Sequence, residues 1–331
     1  MIRLGLSFVI GEGARTAEEI VKSAIIAEEE GFYSVFVPEH YYDREATSII
    51  GAIAYTTKKI KIGTGVINPF TRYPSLIAMS IATIDELSRG RAILGLGSGG
   101  VIGSLQHGIP SEIVGFEYSH PLEHLKEIIE VMRKLLNGEN VTYNGKFYKL
   151  NNVKLNLSTV QQKIPIYLGQ QGLKMMKLAA QLCDGVIITL CATIPYIKNV
   201  RNIIESHKSE AKTFDYAARI VVSFDEDKNK AIRRAKPLVA RVLIHPGAKP
   251  LIESSDLKID MGKLINAIKA DNMNTINEII SDDIVQETTA SGNLTDIRAR
   301  MDEYISAGIT HPLIVPIGKN FFEIIRKLKM V

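Results

Sequence analysis

Two clusters of glycine, each directly after an apolar run, have the composition of anion-binding loops. They read GSGG at 97–100 and GQQG at 169–172. Glycine lets the backbone approach a ligand closely, and successive N–H groups can converge on an anion such as phosphate. A tight turn would explain either cluster alone, but two clusters at equivalent places favour a cofactor that carries phosphate.

The first cluster is not a dinucleotide fingerprint. GLGSGG at 95–100 fits G-x-G-x-x-G in letters, but it follows the fourth apolar run of the chain and not the first strand of a nucleotide-binding unit. The lysine and the serine or threonine of a P-loop are also missing. We therefore attribute a phosphate contact here to the loop backbone.

His40 and Glu39 stand at the end of the second apolar run and are the candidate catalytic residues. A histidine in such a place can donate a hydrogen bond, relay a proton or bind an anionic group. The alternative is a structural histidine that is satisfied by a neighbouring carbonyl. His120 and His124 lie four residues apart on a predicted helix, but no third ligand accompanies them, so we expect no metal site.

Eight short apolar runs alternate with amphipathic stretches and position these residues. Near-continuous apolar strands separated by helices are typical of a parallel sheet covered by helices. Eight strands in one repeating order favour a closed (β/α)₈ TIM barrel over an open doubly wound sheet. The strands are predicted at 3–9, 33–37, 60–66, 92–97, 164–168, 185–190, 219–223 and 312–315.

Local signals define several boundaries. Thr16 and Glu19 have the spacing of a capping box, and Gly31 is placed to end the helix that they begin. Asn144 and Gly145 indicate a β-hairpin within 141–150. Residues 231–291 show only helical patterns, so we predict a helical insertion before the last strand of a single domain over 1–331. A separate C-terminal domain is the alternative.

The barrel places the candidate residues together. Barrel enzymes carry their sites on the loops at the carboxyl ends of the strands. His40, the segment at 65–69 and both glycine clusters follow such ends, so they share one face. We expect a small-molecule substrate there.

Composition gives no support for nucleic acid or a membrane as a partner. The net charge is +4, and basic residues are interspersed with acidic ones, so neither nucleic acid nor a membrane surface is expected. No apolar run approaches the roughly 18 residues of a membrane span. Cys183 and Cys191 flank one predicted strand and are expected as buried thiols, and the chain opens on a strand pattern. These features indicate a cytoplasmic protein.

Three segments resemble the luciferase-like barrel superfamily. They are PEHYYD at 38–43, IKIGTGVINPFTRYPSLIAMSIATIDELSRGRAILGLGSGG at 60–100 and KIPIYLGQQGLKMMKLAAQLCDGVI at 163–187. Within the superfamily they are most similar to the coenzyme F420-dependent methylenetetrahydromethanopterin reductases.

The resemblance implies a deazaflavin site. In that family a bulge with a non-prolyl cis peptide lies behind the tricyclic ring, and the matching position is Gly65–Val66. The family's His after the second strand matches His40, and SRGR at 88–91 matches a segment to which we give a structural role. The implied cofactor-binding residues are His40, Thr64, Gly65, Val66, Asn68, Ser98, Gly99, Gly100, Gln171 and Gly172.

Two departures concern the substrate more than the cofactor. Those reductases carry Glu where this chain has Ser7, and Asp where it has Gly100. Opening a methylene bridge needs an acid near the leaving nitrogen. Glu12 and Glu39 are the candidates to replace the missing carboxyl groups.

Three functions follow from the resemblance. The first is hydride transfer between F420 and an organic substrate. The second is an FMN-dependent monooxygenase that uses O₂ and a separate flavin reductase, because the hairpin segment at 137–150 resembles that branch equally. The third is a non-catalytic flavin-binding protein. The resemblance also implies a homodimer or homotetramer.

Overall fold

Eight parallel strands close into a barrel, which confirms the predicted (β/α)₈ fold. The computed structural model describes residues 3–9, 15–39, 43–97, 120–169, 172–318 and 321–328. Within them the strands in chain order are β1 (Gly5–Ser7), β2 (Ser34–Val37), β3 (Lys61–Thr64), β4 (Ala92–Leu96), β5 (Val141–Asn144), β6 (Lys149–Val153), β7 (Ile166–Leu168), β8 (Gly185–Ile188), β9 (Asp215–Phe224), β10 (Ala290–Gly292) and β11 (His311–Ile317). Around the barrel the order is β1-β2-β3-β4-β7-β8-β9-β11, and β11 pairs with β1 to close it.

Helices cover the outside of the barrel. Those described are α1 (Ala17–Glu29), α2 (Ala46–Thr56), α3 (Pro74–Ser88), α4 (Pro121–Leu136), α5 (Leu173–Leu182), α6 (Ile194–Glu205), α7 (Lys228–Leu243), α8 (Lys249–Ser255), α9 (Met261–Lys269), α10 (Met273–Ile279), α11 (Asp282–Thr288), α12 (Leu294–Ser306) and α13 (Phe321–Leu328). The predicted capping box is present, with Thr16 as N-cap of α1 and Glu19 bonded back to its N–H. Gly31 ends that helix with φ of +80°.

The region before the last strand differs from its prediction. The hairpin is confirmed as the antiparallel pair β5–β6. Residues 231–291 were predicted to be helical throughout, and this is wrong at their end, where β10 pairs in parallel with the upper part of β9. Three residues between helical segments are too short to show a strand periodicity, so only the pairing reveals β10.

Six side chains fill the middle of the barrel and separate its two ends. They are Phe36, Ile93, Tyr167, Ile187, Ala217 and Leu313, all buried. The interior is therefore a packed core at this level, and a ligand can enter only from the carboxyl ends of the strands above it.

A buried ionic network closes the amino-terminal end. It is centred on Asp215, the first residue of β9, whose side chain is 7% exposed. The carboxylate accepts hydrogen bonds from Arg3, Tyr167, Thr310 and His311. The other ring nitrogen of His311 lies 2.6 Å from the hydroxyl of Ser34 on β2. Burial alone would raise the pKa of Asp215, but these hydrogen bonds, led by that of His311, lower it to about 2.

The predicted structural role of SRGR at 88–91 agrees with the geometry. The Arg91 guanidinium is buried, and it donates to the carbonyls of Ala54, Thr57, Ile60 and Ser88 and to the hydroxyl of Thr57. It therefore ties the C-terminus of α2 to the start of β3 and the end of α3.

Asp215→Asn should destabilise the fold by about 3 kcal/mol at neutral pH, because it replaces a buried carboxylate that accepts four hydrogen bonds. In the native chain the pKa of Asp215 is below the unfolded value of about 3.9. Its contribution is therefore complete above about pH 4 and is lost as pH falls towards 2. Urea unfolding between pH 7 and pH 3 measures both effects.

Asp302→Asn is the matched control, because Asp302 is exposed on α12. An Asp215→Asn variant with the stability and acid sensitivity of this control would contradict the assignment.

Candidate functional site

The end of β3 contains one extra residue relative to β4. The two strands pair at Gly63 and Ile93, and the next bridge joins Ile67 to Leu96. The chain therefore advances four residues from Gly63 to Ile67 while β4 advances three from Ile93 to Leu96. This mismatch defines a β-bulge. A cis peptide bond joins Gly65 and Val66 within it, at the position that the resemblance implied.

The side chain of Thr64 forms hydrogen bonds in place of the backbone bonds between β3 and β4 that the bulge interrupts. Its hydroxyl donates to the carbonyl of Gly95 at 2.7 Å and accepts from the N–H of the same residue at 2.8 Å. The side chain is fully buried, so it has no surface to offer a ligand. Thr64 was predicted to bind the cofactor, and this geometry favours an indirect role in shaping the bulge.

Backbone hydrogen bonds hold the bulge from both neighbouring strands. The N–H of Gly65 donates to Val37 at 2.8 Å, and the N–H of Glu39 donates to the carbonyl of Val66 at 3.3 Å. On the other side, Ile67 donates to Gly95 at 3.1 Å and accepts from Gly97 at 3.0 Å. The position of the bulge is therefore fixed by β2 and β4 together.

The Val66 side chain explains two of the glycines. A Cβ at Gly97 would lie 2.3 Å from Val66 Cγ2, and one at Gly169 would lie 2.7 Å from Val66 Cγ1. The sequence favoured ligand contact for both glycine clusters, whereas their first residues make room for Val66. Val66 itself stays partly exposed above the six-residue core and forms an apolar wall.

Glu39 is bound within an ion pair. Arg72 donates to its two carboxylate oxygens at 2.6 and 2.7 Å, and the N–H of Ala46 donates at 3.2 Å. The pair joins the loop after β2 to the loop after β3 and to the start of α2. This arrangement favours a positioning role for Glu39 over the predicted role in proton transfer.

Asn68 and Gly172 begin helical turns. The side-chain oxygen of Asn68 accepts from the N–H of Phe70 at 2.9 Å and caps a short 3₁₀ helix, Pro69–Thr71. Gly172 is the N-cap of α5, and nothing lies within 4 Å of a Cβ built on it. Their predicted contacts with a cofactor stay predictions.

The other predicted residues lie outside the described part of the chain. They are His40, Ser98, Gly99, Gly100 and Gln171. Glu12, one of the candidate acids, also falls outside it. Cys183 and Cys191 are described, and both are buried free thiols on either side of β8, as predicted.

Two polar residues in the barrel interior were not recognised as a pair from the sequence. Arg219 lies on β9 two residues beyond Ala217, and Ser7 is the last residue of β1. Both Arg219 Nε and Ser7 Oγ are buried without a hydrogen-bond partner. An arginine inside the otherwise apolar run at 216–222 was the available signal.

The closed barrel with a bulged wall above its core has the architecture of the (β/α)₈-barrel enzymes, which carry their sites at the carboxyl ends of the strands. Among the described residues, no helix is both long and apolar enough to cross a membrane.

The chain belongs to the luciferase-like monooxygenase family, whose model matches residues 5–311. It is 32% identical over 329 residues to 5,10-methylenetetrahydromethanopterin reductase of Archaeoglobus fulgidus, which covers 96% of this chain and 95% of that one. It is 27% identical over 307 residues to the F420-dependent glucose-6-phosphate dehydrogenase of Amycolatopsis mediterranei, with 88% and 86% covered.

A solved structure agrees with these relationships. The coenzyme F420-dependent tetrahydromethanopterin reductase of Methanopyrus kandleri superposes with a TM-score of 0.86 at 26% identity, over 99% of this chain and 97% of that one. The predicted superfamily is confirmed, and the protein is an oxidoreductase rather than a non-catalytic binder.

Gly97→Ala should lower the free energy of unfolding by about 2 kcal/mol, because the new methyl group overlaps Val66 Cγ2 and lies 2.9 Å from the Gly169 carbonyl. Val66→Ala in the same chain removes the first overlap, so the double variant should recover part of the loss. Denaturant unfolding of the three variants gives the coupling energy.

Gly51→Ala on α2 is the control, since nothing lies within 4 Å of its Cβ. It should leave stability unchanged or raise it by up to about 1 kcal/mol. Strict additivity of Gly97→Ala and Val66→Ala would show that the two positions do not compete for space.

Proposed function

We propose that the protein is a coenzyme F420-dependent oxidoreductase that transfers hydride between the deazaflavin and an organic substrate. The bulge carries the proposal, because it presents the partly exposed Val66 as an apolar wall above a closed core. The relatives that span most of the chain support the deazaflavin as the ring that packs there, since the glucose-6-phosphate dehydrogenase of Amycolatopsis mediterranei and the reductase of Methanopyrus kandleri are F420-dependent.

The residues present fit such a ring. Gly65 and Val66 would form the surface behind it, and Thr64, Val37 and Glu39 hold that surface in place through the hydrogen bonds described above. The backbone of Ser98, Gly99 and Gly100 and of Gln171 and Gly172 would hold the phosphate. When bound, the deazaflavin supplies or accepts the hydride.

The chain's own part in the reaction is orientation. Packing against a fixed wall converts the meeting of cofactor and substrate into a near-attack arrangement. The core below the wall closes the barrel from beneath, so substrate reaches the ring only through the mouth. His40 would contact the cofactor or relay a proton at that mouth.

The substrate proposal is narrower. Methylenetetrahydromethanopterin is the first candidate, on the 32% identity to the Archaeoglobus fulgidus reductase. Ser7 cannot act as a carboxylic acid there, and Glu39 is engaged by Arg72. Assay of hydride transfer to this substrate, with Ser7→Glu beside the native chain, tests whether the missing carboxyl group limits the reaction.

An FMN-dependent monooxygenase is the second candidate, because the matching family model is that of the luciferase-like monooxygenases. It would require O₂ and reduced flavin from a separate reductase. Both candidates are proposed to work in the cytoplasm as homodimers or homotetramers.

Titration of the protein with F420 and with FMN separates the two candidates. We expect F420 to bind at least tenfold more tightly, which corresponds to about 1.4 kcal/mol. Quenching of ligand fluorescence measures both affinities. A micromolar FMN site without F420 binding would exclude the F420 proposal.

His40→Ala should weaken F420 binding or turnover by roughly tenfold or more, the loss expected when a hydrogen bond to a charged group is removed. His207→Ala is the control, because His207 is exposed at the end of α6. Equal affinity and turnover in the two variants would make His40 a structural residue.

A further inference from the structure

A partly buried arginine lies across the barrel from the bulge. The strand order places β3 and β9 four strands apart in either direction, so they are opposite walls of the eight-stranded barrel. Arg219 follows Ala217 by two residues on β9 and therefore faces the same interior, one level above the six-residue core. A molecule in front of the bulge lies between Val66 and Arg219.

The hydrogen bonds of Arg219 are incomplete. Its Nη2 donates to the carbonyl of Phe8 at 2.6 Å, while its Nε is buried without a partner. Among the described residues no carboxylate forms an ion pair with it. Burial lowers the pKa of Arg219 to about 10, so the side chain still carries its charge at neutral pH.

Ser7 adds a second unsatisfied group beside the first. It directly precedes Phe8, whose carbonyl binds the guanidinium, and it shares the inward face of β1 with Gly5. Its hydroxyl is fully buried and has no partner. Buried polar groups in native proteins are nearly always paired, so a polar ligand inside the barrel could complete the hydrogen bonds of these two groups.

Arg91 is a structural arginine of this chain with which Arg219 can be compared. It is also buried, but every nitrogen of its guanidinium donates to a carbonyl or a hydroxyl. Arg219 is only partly buried, and its buried Nε lacks such a partner. A structural role therefore accounts for the hydrogen bonds of Arg91, whereas Arg219 Nε and Ser7 Oγ lie in the barrel interior without any.

We propose that Arg219 and Ser7 form an anion subsite that binds a carboxylate group of the substrate, opposite the ring-binding wall. This inference rests on the proposed function, because it assigns the substrate class to that site. A guanidinium with free N–H groups binds a carboxylate in a planar arrangement, and the serine hydroxyl can donate a further hydrogen bond. Phosphate has the same anionic oxygens and is distinguished below.

Binding of small probes to the protein without cofactor tests the subsite directly. Acetate, inorganic phosphate and acetamide are titrated at constant ionic strength, with the melting temperature and calorimetry as readouts. We expect saturable acetate binding, at least tenfold weaker phosphate binding and no acetamide binding. Arg219→Gln should weaken acetate binding at least tenfold, and Arg219→Lys should weaken it less.

Two further variants complete the test. Arg326→Gln removes an exposed arginine on α13 and should leave acetate binding unchanged. Ser7→Glu places a carboxylate where the anion is expected, so it should raise the melting temperature and abolish acetate binding. This variant decides the question alone if Arg219→Gln does not fold.

The outcomes separate this inference from the proposed function. Normal F420 binding in Arg219→Gln together with lost acetate binding supports a substrate subsite. Tighter binding of phosphate than acetate, equal acetate binding in native and Arg219→Gln protein, or parallel loss of F420 and acetate overturns it. If the native protein does not bind F420, the proposed function is rejected. The acetate titration then still decides whether the anion subsite exists.

Discussion

The extra residue at the end of β3 is the constraint on which the site depends. A closed barrel needs continuous strand pairing, and the bulge interrupts it between β3 and β4. The hydroxyl of Thr64 restores the lost bonds, and the displaced Val66 side chain takes the space that residues at 97 and 169 leave empty. The shape of the barrel mouth thus follows from the one extra residue on β3 and from Gly97 and Gly169, which make room for Val66.

The two ends of the barrel handle buried polar groups in opposite ways. At the amino-terminal end, Asp215 is surrounded by donors and its charge is fully compensated. At the carboxyl end, Arg219 and Ser7 keep unused hydrogen-bonding capacity. A satisfied network rigidifies, whereas an unsatisfied one is costly until a ligand completes it. The ionic network and the unsatisfied groups are therefore separated by the layer of apolar side chains between them.

Periodicity and capping signals in the sequence predicted the eight strands and most helices, because those patterns are local. The resemblance located the bulge. Neither could show that Glu39 pairs with Arg72 or that Arg219 donates to the carbonyl of Phe8, since both contacts depend on how distant segments meet. We attributed Gly97 to the ability of a glycine backbone to approach a ligand. The structure shows that Val66, across the sheet, leaves no room for a side chain at position 97.

The short strand β10 has a consequence for how the mouth can change. The lower half of β9 pairs with β8 up to Ala218, and its upper end pairs with β10 from Val222 onwards. Between those pairings, residues 219–221 are held within the described sheet by β11 alone. The wall that carries Arg219 therefore has a short stretch that is paired with one neighbouring strand only in the described sheet. The bulge on the opposite wall, by contrast, is hydrogen-bonded to both of its neighbouring strands.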